Sequence, residues 1–193
     1  MPIVRAMQLS EIQAVAEVMA RSFRSEPTTT YFFGGTPDER APFLCEMFTF
    51  AARAREATGE VLVVEDGGVV LAATITSLAE DPIWSPELEA EWDEVARKFP
   101  EGTENRFAVY AELKKVHRPT HDHVYLVAIG VDPEHQGRGL GRMLLDAVSS
   151  LAKGLPVCLD TMDPQNVVAY RRCGYEVTAE DVLGGHPIWF MVR

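Results

Sequence analysis

Cysteine is scarce in this chain: Cys45, Cys158 and Cys173, scattered through 193 residues. They form no CxxC pair and no even framework, which argues against a disulfide scaffold or a structural zinc site. Long apolar runs are missing as well. No stretch approaches the roughly 18 apolar residues that a membrane span needs. The start, MPIVRAMQLSEIQAV, has neither a basic leader nor a continuous apolar segment. A soluble cytoplasmic protein with no membrane partner is therefore the expectation. Positive charge is in deficit, with 18 Lys and Arg against 29 Asp and Glu and a formal net charge of −11. Such a surface speaks against a nucleic-acid partner. Any anionic ligand must find its basic contacts locally. Repeats, low-complexity tracts and linkers are absent too. What remains is 47% hydrophobic, enough to argue against disorder, at a length that suits one domain over 1–193.

Taken in order, Ile3 to Met7 suits an edge strand. Ser10 and Gln13 have capping-box spacing ahead of a helix carrying Ile12, Val15, Met19 and Phe23 on one face. Residues 25–37, SEPTTTYFFGGTP, are full of turn formers and read as a loop. Its aromatics, Tyr31, Phe32 and Phe33, either tuck onto the core or line a pocket. Asp38 can cap a second helix through about Ala57. Two strand-like runs, Glu60 to Glu65 and Val69 to Ser77, flank Asp66-Gly67-Gly68, a hairpin signal. Helices are expected over Pro86 to Lys98 and within Thr103 to Val116. The stretch 80–118 reads as an insertion of the kind that shapes specificity.

Val124 to Val131 is a β-branched run ended by Asp132-Pro133, so it reads as a buried strand. Strict alternation would put Val124, Leu126 and Ala128 on one face and His123, Tyr125 and Val127 on the other. Gly130 inside the strand suggests a bulge or a close backbone approach. Leu140, Leu144, Val148 and Leu151 then recur at helical spacing. A strand over Val157 to Thr161, a short helix from Gln165 to Arg172 ended by Gly174, and strands at Tyr175 to Thr178 and Ile188 to Val192 complete a mixed sheet with helices.

Between the buried strand and its helix lies Gln136-Gly137-Arg138-Gly139-Leu140-Gly141. A helix start has unpaired N–H groups and a positive dipole end, so this loop suits an anion, above all a phosphate. A Walker A loop fails for want of the Lys-Ser/Thr pair. A GxGxxG fingerprint fails because Arg142 and Leu144 occupy the sixth positions. The pattern Gln/Arg-x-x-Gly-x-Gly/Ala fits at Gln136, Gly139 and Gly141.

That pattern resembles the acyl-CoA-binding motif of the GNAT family of N-acetyltransferases. The tail resembles the family too: Leu159-Asp160-Thr161, then Pro164, Asn166-Val167, Tyr170-Arg171-Arg172 and Gly174-Tyr175. Its PQNVVAY form is similar to the branch that includes puromycin acetyltransferases. The resemblance implies an α/β fold, a central mixed, mostly antiparallel sheet flanked by helices. It implies acetyl-CoA as cosubstrate, a small amine as partner and no metal, and it leaves a homodimer open. The diphosphate would sit on Gln136, Gly137, Arg138, Gly139, Leu140, Gly141 and Arg142. Ile129, Gly130 and Val131 would hold the pantetheine arm by main chain and polarise the acetyl carbonyl, with Asn166 holding the cofactor as well. Tyr170 matches the family's general acid. The base is open among Asp160, which could act through water, and Glu112, His117, His121, His123 and Tyr125. Tyr31, Phe32 and Tyr125 would line the acceptor pocket. Acetylation of a protein N-terminus or lysine, a non-catalytic acyl-CoA sensor and an ATP-binding protein are the competing readings.

Overall fold

Asp66-Gly67-Gly68 turns the chain back on itself, with Gly67 and Gly68 at φ 62° and 84°, a region L side chains rarely adopt. The computed structural model describes residues 1–58, 60–78 and 84–193. The turn joins β2 (Val61–Asp66) to β3 (Val69–Leu78) in an antiparallel pair. β1 (Ile3–Ala6) adds to the outer edge of β2, and β4 (Val124–Val131) to the far side of β3. β5 (Val157–Thr161) lies parallel to β4, and the hairpin of β6 (Glu176–Leu183) and β7 (His186–Val192) closes the order β1-β2-β3-β4-β5-β7-β6. The sheet is therefore mixed and mostly antiparallel, as expected. β6 is longer than the expected Tyr175–Thr178 because it is an exposed outer strand whose polar residues give little apolar signal.

β2 is buried on both faces, which explains its unbroken apolar run. Val63 packs with Ala73, Ile75 and Ala128 under α1 (Ile12–Phe23) and α3 (Pro37–Thr58). Leu62 and Val64 pack on the opposite face with Leu140, Leu144, Leu145 and Val148 of α6 (Leu140–Leu151). The helix starts differ in detail from the expected ones. Glu11 accepts from the Gln8 N–H at 2.8 Å ahead of α1, so the box is Gln8–Glu11 and not Ser10–Gln13. Ahead of α3, Thr36 and Glu39 bond reciprocally, at 2.7 and 3.3 Å, in place of the Asp38 cap. The expected loop at 25–37 contains a helix, α2 (Pro27–Phe33), with Pro27 in its first turn, where a missing N–H costs nothing. α4 (Pro86–Ala96) and α5 (Thr103–His117) follow the hairpin; residues 80–83 of the expected insertion lie outside the described residues. Among the described residues no helix is long and apolar enough to cross a membrane.

One irregularity sets up everything at the centre of the sheet. Ile75 pairs with Ala128 but Thr76 pairs with Leu126, so Val127 is an extra residue bulged out of β4. The side-chain phase flips there: Val124 and Leu126 face α6, Ala128 faces α1, and Ile129 and Val131 face α6 again. Simple alternation across Val124, Leu126 and Ala128 is thus corrected. Gly130 is not the bulge. It faces α1, where an added Cβ would stand 2.8 Å from Met19 Sδ and 3.0 Å from both Ser22 Cβ and Oγ. Close approach is its reason. Gly130→Ala is expected to cost about 1–3 kcal/mol by overpacking, read as a lower urea midpoint at unchanged m-value. An unshifted midpoint would show that α1 yields freely.

Candidate active site

β4 and β5 pair only at Val124↔Val157 and Tyr125↔Cys158. Beyond these two contacts the strands part. β5 keeps β7 on its other edge and β4 keeps β3, so the gap exposes one main-chain edge of each. The Val127 bulge helps turn β4 away, since a bulge bends its strand and raises the local twist. The gap opens into a cavity of about 410 Å³, lined by Leu126 to Ile129 and Val131 of β4 and Leu159 to Thr161 of β5. That volume suits a small-molecule site. Unpaired N–H and C=O groups are costly to bury without a partner, so the gap asks for a ligand that can pair with strand edges.

Gln136, Gly141 and Arg142 close one end of this cavity. Gly137 and Gly139 hold φ at 76° and 80°, and Gly139 is the residue that precedes α6. No side chain caps this helix, and its first turn carries no acidic residue. By contrast, α7 (Pro164–Arg172) is capped by Asp163, whose carboxylate accepts from the Gln165 N–H at 2.8 Å. The first-turn donors of α6 are left for an anion. Among the expected cofactor residues, Ile129, Val131, Gln136, Gly141, Arg142 and Asn166 line the cavity. Gly130 does not. Arg138 is exposed and does not line the cavity, and the Leu140 side chain is core.

Because Asp163 caps α7, Asn166 is released from that duty. It and Tyr170 stand one turn apart, both on the cavity. Among the described residues no group holds the Tyr170 hydroxyl. Burial, reinforced by Tyr175 and Glu26, pushes Tyr170 well above the usual phenol range. It stays protonated at neutral pH.

Asp160 also reaches the cavity, but not as a freestanding base. Its carboxylate accepts from the Tyr110 hydroxyl at 2.8 and 2.9 Å and from the Tyr125 hydroxyl. Both phenols are pushed well above their usual range, by burial first and then by the Asp160 charge, so they remain donors. Lys114 lies 4.7 and 4.8 Å from the two ring centroids and Arg118 lies 4.6 Å over Tyr125. This set pins the vertex where β4 and β5 part. The other base candidates are elsewhere. His117 bonds Asp181 at 2.9 Å and stacks on Phe190, His123 is buried with Nδ1 on the His121 carbonyl, His121 is exposed, and Glu112 is exposed against Lys115. The expected acceptor pocket is corrected likewise. Phe32 is core, its ring 4.4 Å from Phe107, Tyr31 leans on Gly184, and Tyr125 is spent on Asp160. Among the described residues no cluster of metal-ligating side chains occurs.

The group sequence reasoning missed is Glu26. It sits in the turn between α1 and α2, and its carbonyl accepts from the Thr30 N–H and from the Thr29 and Thr30 hydroxyls, all at 3.0 Å. The buried Arg40 guanidinium locks the same corner through the carbonyls of Arg24, Gly34 and Gly35. The Glu26 side chain faces the cavity, with Oε2 3.4 Å from Asn166 Nδ2. Burial and the nearby Asp163 charge raise its carboxyl to about 7, against the weaker pull of Asn166. The signal in the sequence is faint: one acid before Pro27 in a turn-rich stretch.

A raised carboxyl has a stability signature. Below about pH 4.5 Glu26 is protonated folded or unfolded; as pH rises through 7 the folded state is forced to ionise in a poorly hydrated place and stability is lost. Glu26→Gln removes that penalty. It is expected to raise the melting temperature by roughly 2–6 °C at pH 8, from about 1–2 kcal/mol, and by nothing at pH 4. A shift equal at both pH values, read by calorimetry, would refute the burial argument.

An acetyltransferase (GNAT) domain model matches residues 102–177. Peptidyl-lysine N-acetyltransferase YjaB of Salmonella typhimurium is 33% identical over 54 residues, 28% of this chain and 37% of that protein. The match thus spans little more than a third of that curated relative. A Corynebacterium glutamicum structure described as histone acetyltransferase HPA2 and related acetyltransferase is similar over 100% of this chain and 95% of its own, at TM-score 0.73 and 17% identity. A mosquito arylalkylamine N-acetyltransferase like 5b gives TM-score 0.72 and 19% identity over 100% and 99%. The Salmonella typhimurium protein yncA, solved with its cofactor acetyl-CoA, gives 0.57 and 20% over 100% and 93%. Residues 102–177 match the GNAT domain in sequence, and the whole chain has the fold of solved acetyltransferases.

Proposed function

We propose that residues 1–193 form a single acetyltransferase domain that moves the acetyl group of acetyl-CoA onto the amine of a small molecule. The observation that carries this reading is the parting of β4 from β5 over a cavity. Two features fit the cosubstrate: two strand edges free to pair with an amide-bearing arm, and an uncapped α6 start suited to a diphosphate. Gln136 to Arg142 would hold the diphosphate through main-chain N–H groups, with Arg142 adding charge. The edge from Val127 to Val131, together with Asn166, would hold the arm. Bound there, acetyl-CoA supplies a thioester carbonyl as the electrophile.

The N–H groups around the Val127 bulge, released from the ladder, are the best-placed donors for a carbonyl oxygen that gains charge. Tyr170 then serves the leaving sulfur. A thiol titrates near ~8.5 and the Tyr170 phenol lies well above ~10, so early proton transfer is uphill. Tyr170 therefore donates a hydrogen bond first and its proton only as the carbon–sulfur bond breaks. Asp160 holds the vertex through Tyr110 and Tyr125. The PQNVVAY sequence keeps the likeness to puromycin acetyltransferases as the proposed branch. A second reading, a lysine on a protein, draws on the peptidyl-lysine specificity of the YjaB relative.

The test is release of free CoA across a panel of small amines and a lysine peptide. Wild type is expected to turn over a small amine. Tyr170→Phe should lower kcat by about 100-fold while calorimetry finds acetyl-CoA affinity within about twofold of wild type. Preference for the peptide would support the lysine reading. Acetyl-CoA binding without any turnover would support a sensor, and ATP binding without CoA binding would overturn the assignment of the glycine loop.

A further inference from the structure

We propose that Glu26 is the proton acceptor for the incoming amine, and that the acceptor is an alkylamine that arrives as its ammonium ion. This rests on the acetyltransferase reading above. Three observations converge. Glu26 lines the same cavity as Tyr170, facing the start of α7 through Asn166 at 3.4 Å. Its carbonyl is fixed by Thr29 and Thr30, and the buried Arg40 braces the same corner through the carbonyls of Arg24, Gly34 and Gly35. Its Oε1 has no hydrogen-bond partner among the described residues, in contrast to the doubly engaged Asp160.

The titratable and charged groups that share the cavity with Glu26 are Asp163 and Tyr170 on the α7 side, Asp160 from β5 and Cys173 beyond α7, with Arg142 of α6 at the other end. Carboxylates dominate that surround. It attracts a cation, while burial first and the Asp163 charge second lift the Glu26 carboxyl to about 7, close to the optimum for a base at neutral pH.

The reaction balances as follows. An alkylammonium, titrating near ~10 like a lysine, gives one proton to the Glu26 carboxylate and becomes a neutral amine. Its nitrogen lone pair forms the carbon–nitrogen bond to the acetyl carbon, and the carbon–sulfur pair leaves on sulfur. Tyr170 gives its proton to that sulfur and is reprotonated by the second amine proton. Glu26 returns its own proton to solvent.

The experiment compares wild type, Glu26→Gln and Asn166→Ala on phenethylamine from pH 5 to 10. Wild-type kcat/KM is expected to rise through about pH 7 and level off. Glu26→Gln should be about 100-fold slower at pH 7.5 and should climb tenfold per pH unit with no plateau near 7, as free amine accumulates. Its acetyl-CoA affinity should stay within about twofold of wild type. An activity-independent reading comes from carbon-13 NMR of the Glu26 carboxyl, expected to titrate near 7 in the ligand-free protein. Titration near 4.5, a Glu26→Gln profile that keeps the acid limb, or an Asn166→Ala profile identical to that of Glu26→Gln would each overturn the assignment. Absence of turnover by the wild type on every amine defeats the acetyltransferase reading itself, and this assignment with it.

Discussion

The structure depends on one parallel contact that is allowed to fail. β4 and β5 share two residue pairs and then diverge, and that divergence supplies the cavity, its polar walls and its orientation toward α6 and α7. A sheet interrupted in this way invites collapse or slippage, because free strand edges seek partners. The Tyr110–Asp160–Tyr125 cluster answers that at the vertex. It ties α5, β4 and β5 together through one carboxylate, and burial keeps both phenols protonated to donate. Lys114 and Arg118 over the rings place positive charge beside the cluster. Cys158, buried next to this cluster, is pushed up to about 11, chiefly by burial. It is packing, not chemistry.

The two ends of the cavity are built on opposite electrostatic terms. At α6 the polarity comes from backbone: left-handed Gly137 and Gly139 lead into a helix with no cap and no acid in its first turn. At the α1–α2 corner and α7 it comes from the carboxylates of Glu26, Asp160 and Asp163. Anion at one end and cation at the other is the arrangement a diphosphate-bearing donor and an ammonium-bearing acceptor require. It also resolves the apparent mismatch between a net charge of −11 and an anionic cosubstrate. The local backbone dipoles do what surface charge cannot.

Much of this was legible in the sequence where a signal was local. The Asp66-Gly67-Gly68 turn, the strand at Val157–Thr161, the helix opened by the glycine loop and the place of Tyr170 all follow from short patterns. Features that depend on packing were not legible. The Val127 bulge leaves no mark of its own, since Val127 is as good a strand residue as its neighbours, yet it reverses which face Ala128 occupies. Phe32 could not be assigned to core or pocket until Phe107 of α5 was placed against it. Asp160 looked like a base because nothing in the sequence says that Tyr110, fifty residues earlier, will donate to it. Arg40, buried and satisfied wholly by carbonyls, is equally silent.

Glu26 shows why the remainder resists reading from sequence alone. Its chemistry is set by what surrounds it, and those neighbours come from α2, α3 and α7, far apart along the chain. Thr29 and Thr30 fix its carbonyl, Arg40 braces the corner around it, Asp163 opposes its charge, and Asn166 answers it. A carboxyl held at about 7 in this way destabilises the fold whenever it is ionised. Folding alone gives no reason to keep it there, because glutamine would make a similar bond to Asn166 without the charge. The hydrogen bonds of Thr29, Thr30 and Arg40 brace the α1–α2 corner from which a carboxyl of unfavourable charge faces the cavity. A turn that existed only to join two helices would have no use for it.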